Sequence, residues 1–133
     1  MDKADVKPWF TKYCSTSRTM YRGCWFFDFL GVLLSEVASD KDSKMSKIAE
    51  KAYKKALAPH HGWMLQKAAL IAMKAVKRRD KFIDSICKEQ QSVDADYNEE
   101  KFYEDFATLG KQSASLAEKL WDFCKQNGLD KLP

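Results

Sequence analysis

The sequence predicts an all-α protein, and two segments carry most of that prediction. Residues 21–34 are apolar at nearly every helical position, with Arg22 and Asp28 as interruptions, and residues 63–76 are apolar on more than one side. No stretch shows the two-residue alternation of a strand. A helix that is apolar on several sides must be covered from two directions. We therefore expect layers of packed helices, or an interior partly reserved for an apolar guest.

Length bounds the organisation of the chain. The 133 residues are enough for one domain with its own core, so neither a disulfide nor a metal is needed for stability. Residues 1–17 are polar and lack the apolar region of a signal peptide. Residues 21–34 are shorter than the about 20 apolar residues of a bilayer span. We expect a single domain over residues 1–133, cytoplasmic and peripheral to membranes, with no cofactor.

The first elements follow from caps and periodicity. We predict a short turn or helix at Pro8–Tyr13, and a long helix that starts at the hydroxyls of residues 15–17 and ends near Val37. A polar loop over residues 38–43 comes next. Ser43 or Ser46 is then expected to cap a helix that runs through Leu57.

The later elements show similar signals. Pro59 fits the first turn of the helix over residues 63–76, or kinks a continuous one. A further helix starts at Arg79 or Asp80 and is broken over residues 93–98. Two amphipathic segments follow, Glu99–Leu109 and Gln112–Gln126, with their apolar faces on different sides. Asn127-Gly128 is typical of a helix end.

The spacing of the four cysteines argues against a disulfide framework or a zinc site. The cysteines are far apart, without a C-x-x-C pair, and are predicted to be reduced and structural; they are Cys14, Cys24, Cys87 and Cys124.

The charged residues are distributed unevenly along the chain. Residues 44–81 hold eleven basic and two acidic residues, whereas residues 82–133 hold six basic and eleven acidic ones. Such polarity can steer a protein towards an anionic membrane or nucleic acid. The alternative is an ordinary solvated helix face.

One stretch is specific enough to indicate a family. Residues 52–68, AYKKALAPHHGWMLQKA, and the apolar run and Phe82 that follow resemble the signature helix of the glycolipid transfer protein family. Residues 17–22, SRTMYR, resemble the start of the family's other central helix. The resemblance implies a two-layer all-α sandwich that holds one sphingolipid, with its chains in an apolar tunnel and its headgroup in a polar surface site.

The resemblance also assigns residues. His61 matches the family histidine that hydrogen-bonds the ceramide amide, and Trp63 matches an aromatic residue near the membrane-docking surface. Arg22 lies where glycolipid binders resemble one another in a sugar-stacking tryptophan, and where relatives that carry ceramide 1-phosphate have an arginine. The full set of expected lipid-binding residues is His61, Arg22, Trp63, Arg18, Phe26, Leu30 and Met64.

The chemistry of these side chains agrees with such roles. An imidazole donates to an amide carbonyl most effectively where water does not compete. An arginine offers a fork of donors that matches phosphate oxygens and stays charged. Trp25 is expected in the core, and so are Phe26, Phe27, Phe29, Leu30, Leu33, Leu34, Met64, Ala68 and Ile71.

The chain departs from the family pattern in three places. The first third of the family, with an acidic residue, an asparagine and a lysine that bind the amide and headgroup, has no counterpart here. Phe26 occupies the position of the second arginine of phosphate-binding relatives. Residues 77–79, Lys-Arg-Arg, replace the usual proline. Uncovered apolar faces drive association, so a homodimer that completes the layer, or a more open lipid site, is expected.

Other functions compete with lipid binding. The same helices suit a protein-interaction module with a vestigial site. Nucleic-acid binding has the short basic run at residues 77–79 and the basic middle segment in its favour, and is not expected. An enzyme is not expected, because the sequence contains no nucleophile elbow, Gly-rich phosphate loop, H-E-x-x-H motif or carboxylate pair. The expected partners are a sphingolipid ligand and, transiently, a membrane surface.

Overall fold

The structure, a computed structural model, describes residues 16–131 as helices joined by short connections, without a strand in that range. We number the α-helices in chain order: α1 Thr16–Ser39, α2 Met45–Ala56, α3 Trp63–Lys74, α4 Arg79–Gln91 and α5 Glu99–Gln126. Short 3-10 helices lie at Ala58–His60 and Leu129–Lys131. The predicted all-α class is confirmed. The predicted turn at Pro8–Tyr13 and Cys14 lie outside the described residues.

Several predicted boundaries are correct. α1 is helical from Thr16, the first described residue, and ends two residues beyond Val37, and the chain breaks between α4 and α5 as expected. Pro59 lies in the first turn of the 3-10 helix before α3. α5 ends at Gln126, and Gly128 adopts φ 67°, the left-handed conformation that favours glycine after a helix.

Two predictions about helix ends and continuity were wrong. Neither Ser43 nor Ser46 caps α2: the residue before the helix is Lys44, and its side chain makes no cap hydrogen bond. Residues 99–126 form one helix rather than two segments with separate faces. Its buried positions are Phe102 near the start and, further along, Gly110, Ser113, Ala117 and Cys124. Small side chains, rather than large apolar ones, therefore form most of its inner face.

The contact between α1 and α5 is the most extensive in the described fold, and the two helices run antiparallel. The Sγ atoms of Cys24 and Cys124 lie 3.7 Å apart at one end. Near the other end, a Cβ on Gly110 would lie 2.9 Å from the backbone N of Ser35. Gly31 lies between these points, where a Cβ would come within 3.1 Å of the Ala114 backbone. The absence of side chains at both glycines lets the backbones approach closely.

The main apolar core lies at the far end of this helix pair. It joins the end of α1 and the start of α2 to α4 and the first turns of α5, and its buried members are Val37, Met45, Ile48, Ile83, Cys87, Tyr97 and Phe102. Phe102 is fully buried and its ring stacks on Phe106 at 4.1 Å between centroids. Arg79 closes this end, because its guanidinium donates to the carbonyl oxygens of Val37, Asp40 and Ser43.

Part of the predicted core is exposed. α3 has no buried residue, and the exposed fractions of Met64 and Ile71 are both 69%. Ala68 is exposed as well, and Phe26 on α1 is 50% exposed. Their assignment to the core was wrong, because none of the described helices covers these faces. Phe27, Phe29, Leu30, Leu33 and Leu34 are partly buried, and so is Trp25.

The prediction of reduced cysteines is confirmed for the three cysteines that the structure describes. Cys24, Cys87 and Cys124 are free thiols and all three are buried. Burial raises the pKa of Cys24 to about 12, with the neighbouring thiol of Cys124 adding to the effect. These residues therefore act as small apolar groups in the helix contacts.

We predict that Gly110→Ala lowers the free energy of unfolding by about 1–3 kcal/mol, because the new methyl group must displace the backbone of α1. Gly23→Ala is the matched control within α1, since a Cβ there meets nothing within 4 Å. It should raise stability by up to about 1 kcal/mol through helix propensity. Urea unfolding of both variants measures the difference, and equal effects would contradict the close packing.

Candidate functional site

The candidate site is the turn that joins α2 to α3, where His60 and His61 lie. Gly62 precedes α3 in extended conformation, and α3 begins at Trp63. Gln66 holds the turn closed, since its Nε2 donates to the carbonyl oxygens of Ala58 at 2.8 Å and His61 at 2.9 Å. A side chain from the first turn of α3 thus fixes the backbone on which both imidazoles are mounted.

His61 is oriented by a buried tyrosine. The Oη of Tyr53, on α2, lies 2.7 Å from His61 Nδ1, and Tyr53 is 1% exposed. No second acceptor for this hydroxyl exists among residues 16–131. The hydroxyl proton is satisfied only if Tyr53 donates to Nδ1, which leaves the proton of a neutral imidazole on Nε2. His61, which is partly exposed, is therefore held as an Nε2–H donor.

His60 faces a different partner. Its ring stacks on Trp25 of α1, with centroids 4.2 Å apart and 5° between the planes. Tyr21 and Trp121 complete this aromatic cluster, and Trp121 Nε1 donates to Asp28 Oδ2 at 2.6 Å. Burial lowers the pKa of His60, His61 lowers it further, and Asp28 acts in the opposite direction. The cluster fastens the turn to the α1–α5 pair.

One polar atom in this cluster stands out. Trp25 Nε1 is buried and has no hydrogen-bond acceptor within the described part of the chain. Buried donors are nearly always paired, so an unpaired indole N–H is an unusual feature that calls for an explanation. Trp25 stacks on His60, and His60 precedes His61, the histidine that Tyr53 orients.

The predicted arginines lie on the same helix as Trp25. Arg22 is exposed and Arg18, one turn earlier, is partly exposed. Phe26 and Leu30 follow at the same four-residue spacing, which gives α1 a basic stripe that turns apolar along its length. Tyr21, which precedes Arg22 in the sequence, has its ring 6.5 Å from that of His60.

Trp63 and Met64 lie on the other side of the turn, where α3 starts. Trp63 is 68% exposed, and Lys67 Nζ lies 5.1 Å from its ring centroid. The histidine turn is thus followed directly by the exposed apolar residues at the start of α3. None of the described helices is long and apolar enough to cross a bilayer.

Sequence reasoning missed four residues of this arrangement: Tyr53, Gln66, His60 and Trp121. Tyr53 was expected to face inward, but its hydroxyl could not be matched with His61, because the end of α2 and a 3-10 helix lie between them. Gln66 carried a usable signal, as a polar side chain among apolar neighbours directly after the histidines. Nothing in the sequence joins Trp121 to residues almost a hundred positions earlier.

Comparisons with known proteins agree with this architecture. The family model described as glycolipid transfer protein (GLTP) matches residues 2–88. The chain is 29% identical over 105 residues to glycolipid transfer protein 2 of Arabidopsis thaliana, which covers 79% of this chain and 44% of that protein. It is 30% identical over 94 residues to accelerated cell death 11 of the same plant, with 70% and 46% covered.

Solved structures show the same fold. The apo form of mouse ceramide-1-phosphate transfer protein superposes with a TM-score of 0.77 at 19% identity, over 92% of this chain and 56% of that one. A variant of Arabidopsis accelerated-cell-death 11 complexed with C12 ceramide-1-phosphate gives a TM-score of 0.73 at 26% identity, over 90% and 56%. The all-helical fold is thus one that lipid-binding proteins share.

The chain belongs to the glycolipid transfer protein family, as the resemblance in its sequence indicated. It spans about half the length of the curated relatives it matches.

We predict that Tyr53→Phe frees the imidazole of His61 without unfolding the protein, because one hydrogen bond contributes only about 1 kcal/mol. Nitrogen-15 NMR of the wild-type ring should show the Nε2–H tautomer, and the variant should show a mixture of both tautomers. Tyr103→Phe is the control, since that ring lies far along α5 from the turn. A wild-type ring protonated on Nδ1 would contradict the assignment.

Proposed function

We propose that this chain binds sphingolipids and takes part in their transfer between membranes without making or breaking a covalent bond. The observation that carries the proposal is the 2.7 Å hydrogen bond between Tyr53 Oη and Nδ1 of His61, a partly exposed imidazole. We infer from it that Nε2 carries the proton and can donate. In this position the ring donates to the amide carbonyl of a ceramide. Family membership and the ceramide-1-phosphate complex of a relative support the same ligand class.

The exposed apolar faces supply the second part of the site. Phe26 and Leu30 on α1, and Met64 on α3, flank the histidine turn and receive the lipid chains. Exposed apolar patches of this kind mark lipid or protein partners. Trp63, at the start of α3 beside Lys67, meets the membrane, because a tryptophan suits the boundary between headgroups and acyl chains. The buried N–H of Trp25 has an acceptor once a lipid oxygen lies beside it.

The headgroup is assigned to α1. Arg22 and Arg18 lie one turn apart on α1, and guanidinium groups bind phosphate oxygens through paired hydrogen bonds. A neutral sugar gains less from them. We therefore propose a preference for ceramide 1-phosphate over glycosylceramide, which the bound lipid of the accelerated-cell-death 11 complex supports. Phe26 lies at the next turn, where phosphate-binding relatives resemble one another in having a second arginine. The phosphate therefore has one cationic contact fewer here.

We expect vesicle-to-vesicle transfer of ceramide 1-phosphate to exceed that of glucosylceramide. Arg22→Leu should remove the preference, with about a tenfold loss for the phosphorylated lipid, since a hydrogen bond to a charged group contributes about 1.5–3 kcal/mol. His61→Ala should reduce transfer of both lipids, because both contain the amide. Fluorescent-lipid transfer between donor and acceptor vesicles measures each rate.

Lys111→Leu, on the exposed surface of α5, is the control for loss of one positive charge. It should leave the preference intact. Equal transfer of the two lipids by the wild type would refute the headgroup assignment, and normal transfer by His61→Ala would refute the role of the imidazole.

A protein-interaction function is the second candidate, and the exposed α3 favours it. The exposed fractions of Trp63, Met64, Leu65 and Ile71 are all above one half. A homodimer that buries this face would sediment at twice the monomer mass. Sedimentation velocity of the lipid-free protein, with Ile71→Lys as the variant, distinguishes the two: a dimer that the variant dissociates supports the interaction function, and a monomer supports the lipid site.

A further inference from the structure

A cavity lies at the opposite end of α2 from the histidine turn. Its volume is about 580 Å³, within the range typical of small-molecule sites. Three parts of the chain form it: the loop before α2, the end of α3 with its following loop, and the start of α4. Five basic side chains line it, namely Lys44, Lys74, Lys77, Arg78 and Arg79.

One of these side chains builds the cavity. Arg79 donates to the carbonyl oxygens of Val37 at 3.1 Å and of Ser43 at 3.2 Å, and it also donates to Asp40. These bonds tie the first turn of α4 to the loop between α1 and α2. One wall is therefore fixed by the part-buried hydrogen bonds of Arg79, whereas the other four basic side chains of the lining are exposed.

The remaining basic side chains are mostly without a counter-charge. Within residues 16–131, Lys44, Lys74 and Lys77 have no carboxylate within ion-pair distance, whereas Arg78 pairs with Asp80 at 3.3 Å. The lining contains two acidic residues, Asp42 and Asp80. Five positive charges against two negative ones leave the cavity with a net charge of +3. Such a concentration attracts anions.

The backbone adds donors to the same cavity. Met45 and Ser46, in the first turn of α2, line it, and Asp80 in the first turn of α4 lines it too. The residues before these helices, Lys44 and Arg78, make no side-chain cap hydrogen bond. In the first turn of α2, Lys47 N already donates to Lys44 O, whereas no backbone hydrogen bond in the described part of the chain uses the N–H groups of Met45 and Ser46. Such N–H groups complement negative charge. They supplement the lysines, which are the principal attraction.

The other basic surface of the molecule differs. On the outer face of α2, Lys54 pairs with Glu50 at 2.7 Å and Lys51 pairs with Glu36 at 3.2 Å. Its charges are partly neutralised, and its shallow depression is lined by one helix alone. It is a solvated helix face. The cavity at the start of α2 differs from this face, because it combines walls from several elements with three lysines that have no ion pair among the described residues.

We propose that this cavity is a binding site for a phosphate group, separate from the sphingolipid site. The 12 residues of α2 lie between the two sites, about 18 Å at about 1.5 Å per residue, so one phosphate cannot occupy both. Lys44, Lys74 and Lys77 neutralise the charge of the anion, and the first-turn N–H groups of Met45 and Ser46 donate hydrogen bonds to its oxygens. The phosphate belongs either to a soluble phosphorylated compound or to a phosphorylated lipid headgroup at the membrane surface.

Titration of the full chain with inorganic phosphate, at constant ionic strength set by chloride, tests the site. Backbone amide resonances of residues 45–47 should shift saturably. Lys74→Glu combined with Lys77→Glu should weaken binding at least about tenfold, and Lys111→Glu with Lys119→Glu on α5 should not. If the first double variant fails to fold, Lys44→Gln with Lys77→Gln replaces it. No saturable shift in the wild type, or an equal loss in both double variants, would overturn the proposal.

A vesicle experiment then identifies the source of the phosphate. Phosphatidylcholine vesicles with phosphatidic acid carry a phosphomonoester, and vesicles with phosphatidylserine provide surface charge without one. Stronger co-sedimentation with phosphatidic acid that only the cavity variant loses supports a lipid headgroup. Phosphate titration at the cavity with vesicle binding unchanged in every variant supports a soluble compound. Vesicle binding that both double variants lose equally would refute the headgroup source.

Discussion

The close antiparallel contact between α1 and α5 is the constraint on which the rest of the structure depends. The backbones approach at Gly31 and Gly110, where side chains would collide, and the buried thiols of Cys24 and Cys124 continue the contact. This pair presents Trp25 and Trp121 on one end, where His60 stacks, and the start of the apolar core on the other. α2 then spans the distance between the two ends. Both proposed sites are positioned by the same helix pair.

The two proposed sites lie at opposite ends of α2 and differ in the residues that form them. At its C-terminal end, Tyr53 orients His61 and Gln66 holds the turn. At its N-terminal end, Arg79 joins three carbonyl oxygens, and the lysines around it stay unpaired. The exposed face of α3 runs from one end to the other. A membrane in contact with that face would meet the sphingolipid site and the phosphate site together.

The sequence predicted the helical class and much of the order of elements because apolar periodicity and turn residues are local signals. The prediction of α5 as two segments was wrong, and so was the prediction of its inner face. Large apolar residues carry the periodic signal, whereas the small residues Gly110, Ser113 and Ala117 form the contact. The sequence placed Met64 and Ile71 in the core since both are apolar, yet burial depends on a covering layer that periodicity does not reveal. His61 and Arg22 came from family resemblance, and their roles in lipid binding stay predictions. The partners Tyr53 and Trp121 required the fold, because tertiary contacts bring them to the histidine turn.

The central claim is that the Nε2–H group of His61 is oriented to donate a hydrogen bond to the amide carbonyl of a ceramide. The most direct measurement is the nitrogen-15 and proton resonance of that N–H while a short-chain ceramide 1-phosphate is added to the purified protein. The account predicts a downfield shift and slower solvent exchange of this proton, with the Tyr53 bond retained. Lipid that binds and shifts other resonances, while the His61 N–H resonance stays as in the free protein, would contradict it.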